Sequence, residues 1–194
     1  MSLTIVQAGE PVLRQVARKL TKAEIESDQI RSLILDMRET MHGAPGVGLA
    51  APQVGFLLQL AVIEDKEEYH KNISAEELRE RERQPVPFQV VINPKITHTS
   101  EAVVEFFEGC LSLPGFSAVV PRAHTVTVEC LDENGRQKLI VAAGWHARIL
   151  QHEIDHLNGN LYIDRMRSRT FMVLDNYNRY WKGRPIGQIR STLG

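Results

Sequence analysis

The segment 143–158 constrains the fold most, because it combines helical spacing with apolar residues on two faces. Its two stripes are Ala143, Ala147, Leu150, Ile154 and Leu157 on one face, and Trp145, Ile149, His152 and His156 on the other. A helix that is apolar on two faces is buried in the middle of a domain, and Gly159 provides a stop after it. Buried imidazoles also need partners, since an unpaired buried polar group is costly. The segment therefore predicts an α+β fold with strands and loops wrapped around one central helix.

Other periodic segments predict a second helix and several strands. We expect a helix over 24–42 and strands over 57–63, 89–92, 102–107, 124–131 and 137–142. The last two strands flank the polar turn 132–135, a pattern typical of an antiparallel hairpin. Cys130 shares an apolar strand face with Val126 and Val128, so we predict that it is a core residue. The charged stretch 64–87 is predicted to form a solvated helix and loop inserted into a hairpin connection.

Length and composition are those of an ordinary globular protein. The chain has 194 residues, which favours one domain, and 43% of them are hydrophobic. The net charge of -1 gives no support to a nucleic-acid partner, because such proteins usually carry a basic excess. No apolar run approaches the roughly 20 residues needed to cross a bilayer. The amino-terminal residues lack the pattern of a targeting leader, so we expect a cytoplasmic protein, or an organellar one if a transit peptide has been removed.

A metal site is indicated by the H-E-x-x-H motif His152-Glu-Ile-Asp-His156 in the central helix. The i, i+4 spacing puts both imidazoles on one face, where they can bind one metal ion. Glu153 lies beside that face, where it can accept a proton from a metal-bound water. The competing interpretation is a chance match, or a pair of core histidines whose partners are protein groups.

A catalytic site of this kind normally takes a third protein ligand. A metzincin would have a histidine where this chain has Tyr162, and residues 157–194 contain no Glu or His for a thermolysin-like site. Cys110, in a Gly-flanked turn after an apolar strand, is the best upstream candidate. The usual zinc peptidase arrangements therefore fail, and a metallopeptidase with an unrecognised third ligand is kept as an alternative.

Three segments together resemble the signature motifs of peptide deformylase, in the family's order: Gly46-Val-Gly-Leu-Ala-Ala-Pro-Gln53, Glu108-Gly-Cys-Leu-Ser112 and Gln151-His-Glu-Ile-Asp-His156. The resemblance covers about 5–164 of a single domain, 1–194, and leaves 167–194 as a C-terminal extension. The charged insertion and two further segments are most similar to the type 1A branch of organelles and some bacteria: Phe106-Phe-Glu-Gly-Cys and Gly144-Trp-His-Ala-Arg148.

The resemblance implies metal-dependent hydrolysis of the N-formyl group from the formyl-methionine that begins a nascent polypeptide. It implies Cys110, His152 and His156 as ligands of one divalent ion per chain. Fe2+ is the usual native ion of the family, with Zn2+, Ni2+ or Co2+ as substitutes. A metal-bound water would attack the formyl carbon, and Glu153 would act as general base and then as general acid.

The resemblance also implies the groups that hold the substrate. The side-chain amide of Gln53 and the backbone N–H of Leu111 would form the oxyanion hole, and the backbone of Gly48 would help to align the peptide. The peptide could add as an extra strand beside the segment 46–48. Candidates for the wall of the methionine pocket are Trp145 and Ile149, with Val47 and Leu113 nearby, and Gly46 is a further substrate-binding candidate. Plain core packing is the alternative role for Trp145 and Ile149.

Several roles stay open at this point. Glu108 and Arg122 are either a surface pair or groups that orient the Cys110 loop, and Asp155 either orients a ligand or caps the helix. The implied partners are nascent formyl-Met peptides and, for some bacterial members, the ribosome near its exit tunnel, reached through a basic C-terminal helix. The tail of this chain has a Gly/Pro break over 183–185, so ribosome docking, packing on the domain and support of a homodimer all stay open.

Two classes of partner are not expected, namely nucleic acid bound directly and a membrane. A non-catalytic metal-binding or peptide-binding relative is the second alternative function. The presence of Gln53, Cys110 and Glu153 argues against it, because a degenerate copy usually loses one of these groups.

Overall fold

The computed structural model describes residues 1–193, which form both strands and helices, with five strands in succession from Val86 to Ala143. The strands are β1 (Gly48–Ala50), β2 (Leu60–Asp65), β3 (Val86–Thr99), β4 (Val103–Cys110), β5 (Leu113–Ala123), β6 (Thr125–Leu131), β7 (Gln137–Ala143) and β8 (Met172–Val173). The helices are α1 (Lys22–Ile25), α2 (Asp28–His42), α3 (Ala75–Glu80), α4 (Gly144–Leu157), α5 (Leu174–Asn176) and α6 (Ile186–Leu193).

The strands form two antiparallel sheets that share α4 as their common neighbour. The first sheet has the order β1-β2-β3-β6-β7, and the second has the order β4-β5-β8. α4 packs against β1, β2, β6 and β7 of the first sheet and against β5 of the second. This arrangement confirms the predicted α+β fold with antiparallel strands around a central helix.

Apolar residues of both stripes of α4 pack in hydrophobic clusters, and the helix is buried along most of its length. Ala147 and Leu150 are fully buried in a cluster that includes Val126 and Ile140 of the β6–β7 hairpin. Leu157, at the end of the helix, joins a smaller cluster with alanines of β1 and β2. The helix predicted over 143–158 is therefore confirmed, and its burial follows from its two-faced pattern.

Helix 24–42 and several of the strands, including β4, which extends to Cys110, differ from the sequence-based bounds. Residues 24–42 fall into α1 and α2, because Ser27 begins a new helix by accepting a hydrogen bond from the backbone N–H of Ile30. β2 begins at Leu60, later than predicted. The predicted strand 89–92 is the centre of the longer β3, which continues past Asn93 through a register shift.

Strand β5 is not predicted by any local pattern, since Pro114, Gly115 and Pro121 are typical of loops. The strand forms because it pairs with β4 from Val103 opposite Ala123 onward. The same hairpin places Cys110 at the end of a strand, whereas the sequence suggested a turn after one. Pairing across this hairpin, with Cys110 opposite Leu113, therefore fixes the position of Cys110.

The hairpin β6–β7 and the core role of Cys130 are confirmed. Cys130 is 5% exposed and packs in one cluster with Val126 and Val128. Burial raises the pKa of its thiol, which makes it a poor nucleophile.

The insertion between β2 and β3 is present, as predicted, but its base is buried. It contains a 3-10 turn, Glu67–His70, followed by α3. At its start, Asp65 is fully buried and accepts hydrogen bonds from Arg83 at 2.8 and 2.9 Å. His70 Nε2 lies 3.2 Å from the same carboxylate. The insertion is therefore closed at its base by an ion pair, and the prediction of a solvated segment is wrong for this part.

Replacing Asp65 tests whether this ion pair holds the insertion. Asp65→Ala leaves the mostly buried Arg83 without its partner, so we expect the free energy of unfolding to fall by about 2–3 kcal/mol. Urea unfolding of both proteins measures the difference. As a control, Glu68→Ala removes an exposed carboxylate 3.7 Å from Lys66 and should change stability by less than about 0.5 kcal/mol. Equal losses in the two variants would contradict the role given to Asp65.

Candidate metal centre

Three ligand-type side chains converge where the end of β4 meets the last turns of α4. His152 and His156 lie one helical turn apart, and their Nε2 atoms are 3.2 Å from each other. The Sγ of Cys110 lies 3.3 Å from Nε2 of His156. All three ligand atoms lie within 4.8 Å of one another. The structure therefore brings together the three residues that the sequence proposed as metal ligands.

These distances fit a divalent metal centre. Two imidazole nitrogens on a tetrahedral ion are about 3.4 Å apart, given metal–nitrogen bonds of about 2.1 Å. The two Nε2 atoms show nearly that spacing, with the rings edge to face at 79°. Two imidazoles and one thiolate also match the ligand preferences of Zn2+ and of Fe2+. The residues present therefore fit one ion per chain.

The buried carboxylate of Glu108 orients His152 from the other side. Its Oε2 lies 3.0 Å from Nδ1 of His152, so the opposite ring nitrogen faces Cys110 and His156. Arg122 donates to both oxygens of Glu108 at 2.9 Å, and Arg148 donates to Oε1 at 2.6 Å. Burial alone would raise the pKa of Glu108, but the charge of Arg122 holds it below its ordinary value.

The same network includes the acidic residue near the end of the helix. Arg122 also donates to Asp155, and Arg165 donates to both oxygens of Asp155 at 2.7 Å. Arg122 and Glu108 are both buried, which excludes the surface-pair interpretation. Glu108 contacts His152, one of the three residues that could hold a metal, whereas the sequence suggested an effect on the Cys110 loop. Asp155 fixes Arg122 and does not itself contact the three ligand atoms.

Gln53 is held so that its amide N–H groups point toward the centre. It follows β1 in a short 3-10 turn and is 1% exposed. Its Oε1 accepts a hydrogen bond from the backbone N–H of Ala50 at 2.9 Å. Its Nε2 then lies 3.5 Å from Sγ of Cys110 and 3.3 Å from Oγ of Ser112. Leu111 lies between these two residues in the chain and lines the same cleft.

Glu153 occupies a space that only a glycine opposite it leaves free. A Cβ atom on Gly48 would lie 2.6 Å from Cδ of Glu153, so a side chain at that position of β1 would have to displace Glu153. Glu153 is 4% exposed, and its Oε2 has no hydrogen-bond partner among residues 1–193. Burial raises the pKa of this carboxyl to about 7. A carboxyl group with these properties can take and return a proton near neutral pH.

A cleft of about 590 Å³ opens beside Cys110, His152 and Glu153. It is lined by the residues proposed from the sequence: Gly46, Val47, Gly48, Gln53, Leu111, Leu113, Trp145 and Ile149. Ile149 also belongs to the core cluster of the β6–β7 hairpin. The guanidinium groups of Arg81 and Arg83 pack on Trp145, 4.9 and 5.2 Å from its ring centre.

Sequence reasoning missed several residues that line the cleft. Arg83 comes from the insertion, Phe107 from β4, Arg148 from α4 and Leu174 from the C-terminal extension. Arg148 lies between Trp145 and His152 at helical spacing, on the same face of α4, and that signal could have identified it. The other three become neighbours only through the pairing of distant segments.

Among residues 1–193, no helix has the length and apolar character that a membrane span requires.

Comparisons with known proteins agree with this geometry. The family model described as polypeptide deformylase matches residues 2–171. "Peptide deformylase 1A, chloroplastic" of Solanum lycopersicum is 46% identical over 172 residues, covering 89% of this chain and 62% of that protein. "Peptide deformylase 1" of Streptomyces coelicolor is 46% identical over 192 residues, covering 99% of this chain and 86% of that protein. The chain thus spans less than two thirds of the length of the tomato relative.

Solved structures show the same fold. A class I type b peptide deformylase from Acinetobacter baumannii, described as Met-Ala-Ser bound, superposes with a TM-score of 0.76 at 31% identity, covering 86% of this chain and 99% of that one. A peptide deformylase from Synechococcus elongatus in complex with actinonin gives a TM-score of 0.71 at 43% identity, covering 85% and 79%. The resemblance seen in the three motifs is thereby confirmed, and the chain belongs to the polypeptide deformylase family.

Proposed function

We propose that this chain is a metal-dependent deformylase, which hydrolyses the N-formyl amide of the formyl-methionine at the start of nascent polypeptides. The observation that carries this function is the convergence of Cys110, His152 and His156 beside the carboxyl of Glu153 and the amide of Gln53. The names of its relatives support the reaction, and the Met-Ala-Ser peptide bound to the Acinetobacter protein supports the substrate class.

Cys110, His152 and His156 would hold one divalent ion. When bound, such an ion supplies Lewis acidity and lowers the pKa of a water ligand enough to give a nucleophile near neutral pH. Glu108 keeps His152 in the tautomer whose Nε2 is available as a ligand, because it engages Nδ1. We infer Fe2+ as the native ion, with Zn2+, Ni2+ or Co2+ as substitutes, since one soft thiolate in the ligand set suits these metals better than Mg2+ or Ca2+.

Glu153 would transfer the proton. Its buried carboxyl lies against Gly48, and no cation pairs with it among residues 1–193, so it is free to accept a proton from the attacking water. The same carboxyl then returns the proton to the departing amine. A pKa of about 7 suits both halves of this transfer, since neither protonation state is strongly favoured at neutral pH.

Gln53 and Leu111 would stabilise the oxyanion of the tetrahedral intermediate. The hydrogen bond from the Ala50 N–H to Oε1 of Gln53 fixes the amide, so its N–H groups face the cleft before substrate binds. The backbone N–H of Leu111 would be the second donor. Fixed donors need no reorganisation when charge develops, which is the source of their effect on rate.

The substrate would lie along the free edge of β1. This strand is the terminal strand of the five-stranded sheet and pairs only with β2 among residues 1–193. A peptide can add to such an edge through backbone hydrogen bonds, with Gly46, Val47 and Gly48 alongside it. Trp145 and Ile149 would then form the apolar wall for the unbranched methionine side chain.

The C-terminal extension gives little support to ribosome docking through a basic helix. Arg190 is the one basic residue of α6, and it lies 3.2 Å from Glu105 of β4. Ile189 of the same helix is buried against Phe107 and Val119. We therefore propose that the extension is part of one domain spanning 1–194. We place the protein in a bacterial cytoplasm or in an organelle, as the names of its relatives suggest.

Release of formate from formyl-Met-Ala-Ser tests the function directly. The protein is prepared without oxygen and supplied with Fe2+ or Ni2+. We expect metal-dependent release, and we expect Glu153→Ala to keep stoichiometric metal while turnover falls about 10²–10⁴-fold, because the proton transfer is lost. Glu133→Ala, at an exposed position in the β6–β7 turn, is the control and should leave turnover unchanged. Full activity of Glu153→Ala would remove this residue from the mechanism.

The same assay separates the peptidase alternative. Unformylated Met-Ala-Ser is offered under identical conditions, and cleavage of its peptide bonds is followed by mass spectrometry. A deformylase releases formate and leaves the peptide intact. Cleavage of the unformylated peptide, without formate release from the formylated one, would favour a metallopeptidase.

Gly48→Ala tests the close approach of β1 and Glu153. The new methyl group displaces the carboxyl, so we expect formate release to fall on the order of 10²-fold with metal content unchanged. Gly187→Ala is the matched control, because a Cβ at that position of α6 meets nothing within 4 Å. Equal activity of the two variants would show that Glu153 does not need this space.

The sensitivity of the site to oxidation is tested with two different ions. With a thiolate ligand, a redox-active ion exposes the site to oxidative loss, so we expect the Fe2+ form to lose activity in peroxide faster than the Ni2+ form. Cys130→Ala should not alter either lifetime, since Cys130 is buried away from the cleft. Equal lifetimes of the Fe2+ and Ni2+ forms would contradict this effect of a redox-active ion on oxidative loss.

A further inference from the structure

We propose that the C-terminal extension forms one wall of the substrate cleft, and that Leu174 contacts an apolar side chain of the peptide downstream of its formyl-methionine. This inference rests on the proposed deformylase function and names a determinant of its specificity. No sequence motif assigns a role to this segment.

The extension reaches the cleft because it adds a strand to the second sheet. Met172 and Val173, which form β8, pair with Ser117 and Phe116 of β5. The segment 113–117 of β5 lines the cleft, so the added strand lies next to it. Leu174 begins α5, which packs on β5, and its side chain lines the cleft.

Apolar side chains remain exposed at this rim. Phe116 is 36% exposed and stacks on Phe171, with ring centres 5.1 Å apart and planes 5° from parallel. Leu174 is 42% exposed. An exposed apolar group that continues into a cleft is typical of a surface that a ligand covers.

The placement of Leu174 selects the part of the peptide that it can contact. The formyl group must reach Cys110, His152 and Glu153, and the first side chain lies against Trp145 and Ile149. A strand advances about 3.3 Å per residue, and its side chains alternate in direction. A side chain at the exposed rim beside β5 therefore faces the second or third residue of the peptide. An apolar residue there gains contact with Leu174.

Val173 provides a matched control for Leu174. Both side chains are 42% exposed, and the two residues are adjacent in the chain. Val173 pairs with Phe116 in the sheet, and only Leu174 lines the cleft. A serine at either position removes a similar apolar surface, so a difference between the two variants reports on the cleft itself.

The experiment compares three peptides, formyl-Met-Ala-Ser, formyl-Met-Leu-Ser and formyl-Met-Ala-Leu, with the full chain loaded with Ni2+. We expect the unmodified protein to favour leucine at one of the two positions, on the order of fivefold in kcat/KM and chiefly through KM, as partial burial of one leucine predicts. Leu174→Ser should abolish this preference. Val173→Ser should retain the preference. Thermal unfolding of both variants checks that they are folded.

Two outcomes overturn the inference alone. One is the absence of any preference for leucine in the unmodified protein while formyl-Met-Ala-Ser is turned over. The other is an equal effect of Leu174→Ser and Val173→Ser on the preference. Absence of formate release from every peptide by the unmodified, metal-loaded protein would instead overturn the proposed function, and this inference with it.

Discussion

The buried carboxylate of Glu108 joins the parts of the molecule on which the site depends. It lies on β4, accepts hydrogen bonds from Arg122 of β5 and Arg148 of α4, and engages the ring of His152. One carboxylate thus ties the second sheet to the central helix at His152, which is a proposed metal ligand. Buried ion pairs add little net stability compared with apolar packing, because desolvation offsets their attraction. These ion pairs fix the orientation of the His152 ring. An apolar residue could fill the same space but could not fix that ring.

The pKa values of two neighbouring carboxyl groups, those of Glu108 and Glu153, shift in opposite directions because their surroundings differ. Glu108 faces two guanidinium groups, which keep it ionised. Glu153 is equally buried, but its Oε2 has no partner among residues 1–193 and its pKa is raised by burial. The carboxylate of Glu108 is therefore suited to orienting the ring of His152, and the carboxyl of Glu153 is suited to exchanging a proton. Gly48 makes this difference possible, since any larger residue would push Glu153 out of its apolar position.

The cleft is built from segments that are distant in the chain. The insertion brings Arg81 and Arg83 against Trp145, and the buried Asp65 holds the insertion in place. The C-terminal extension brings Leu174 to the opposite rim through its pairing with β5. The insertion and the C-terminal extension are therefore both part of the cleft wall. Variation in such segments can alter substrate preference without disturbing the groups that carry out the reaction.

The sequence by itself determined the features that local periodicity encodes. The two stripes of α4, the i, i+4 histidines and the β6–β7 hairpin follow from spacing along one element, which a single segment shows completely. Tertiary structure alone decided the distance of Cys110 from His156, the existence of β5 despite its prolines, and the arrival of Leu174 in the cleft. Each of these depends on contacts between different segments of the chain, and such a contact leaves no periodic signal in either segment alone.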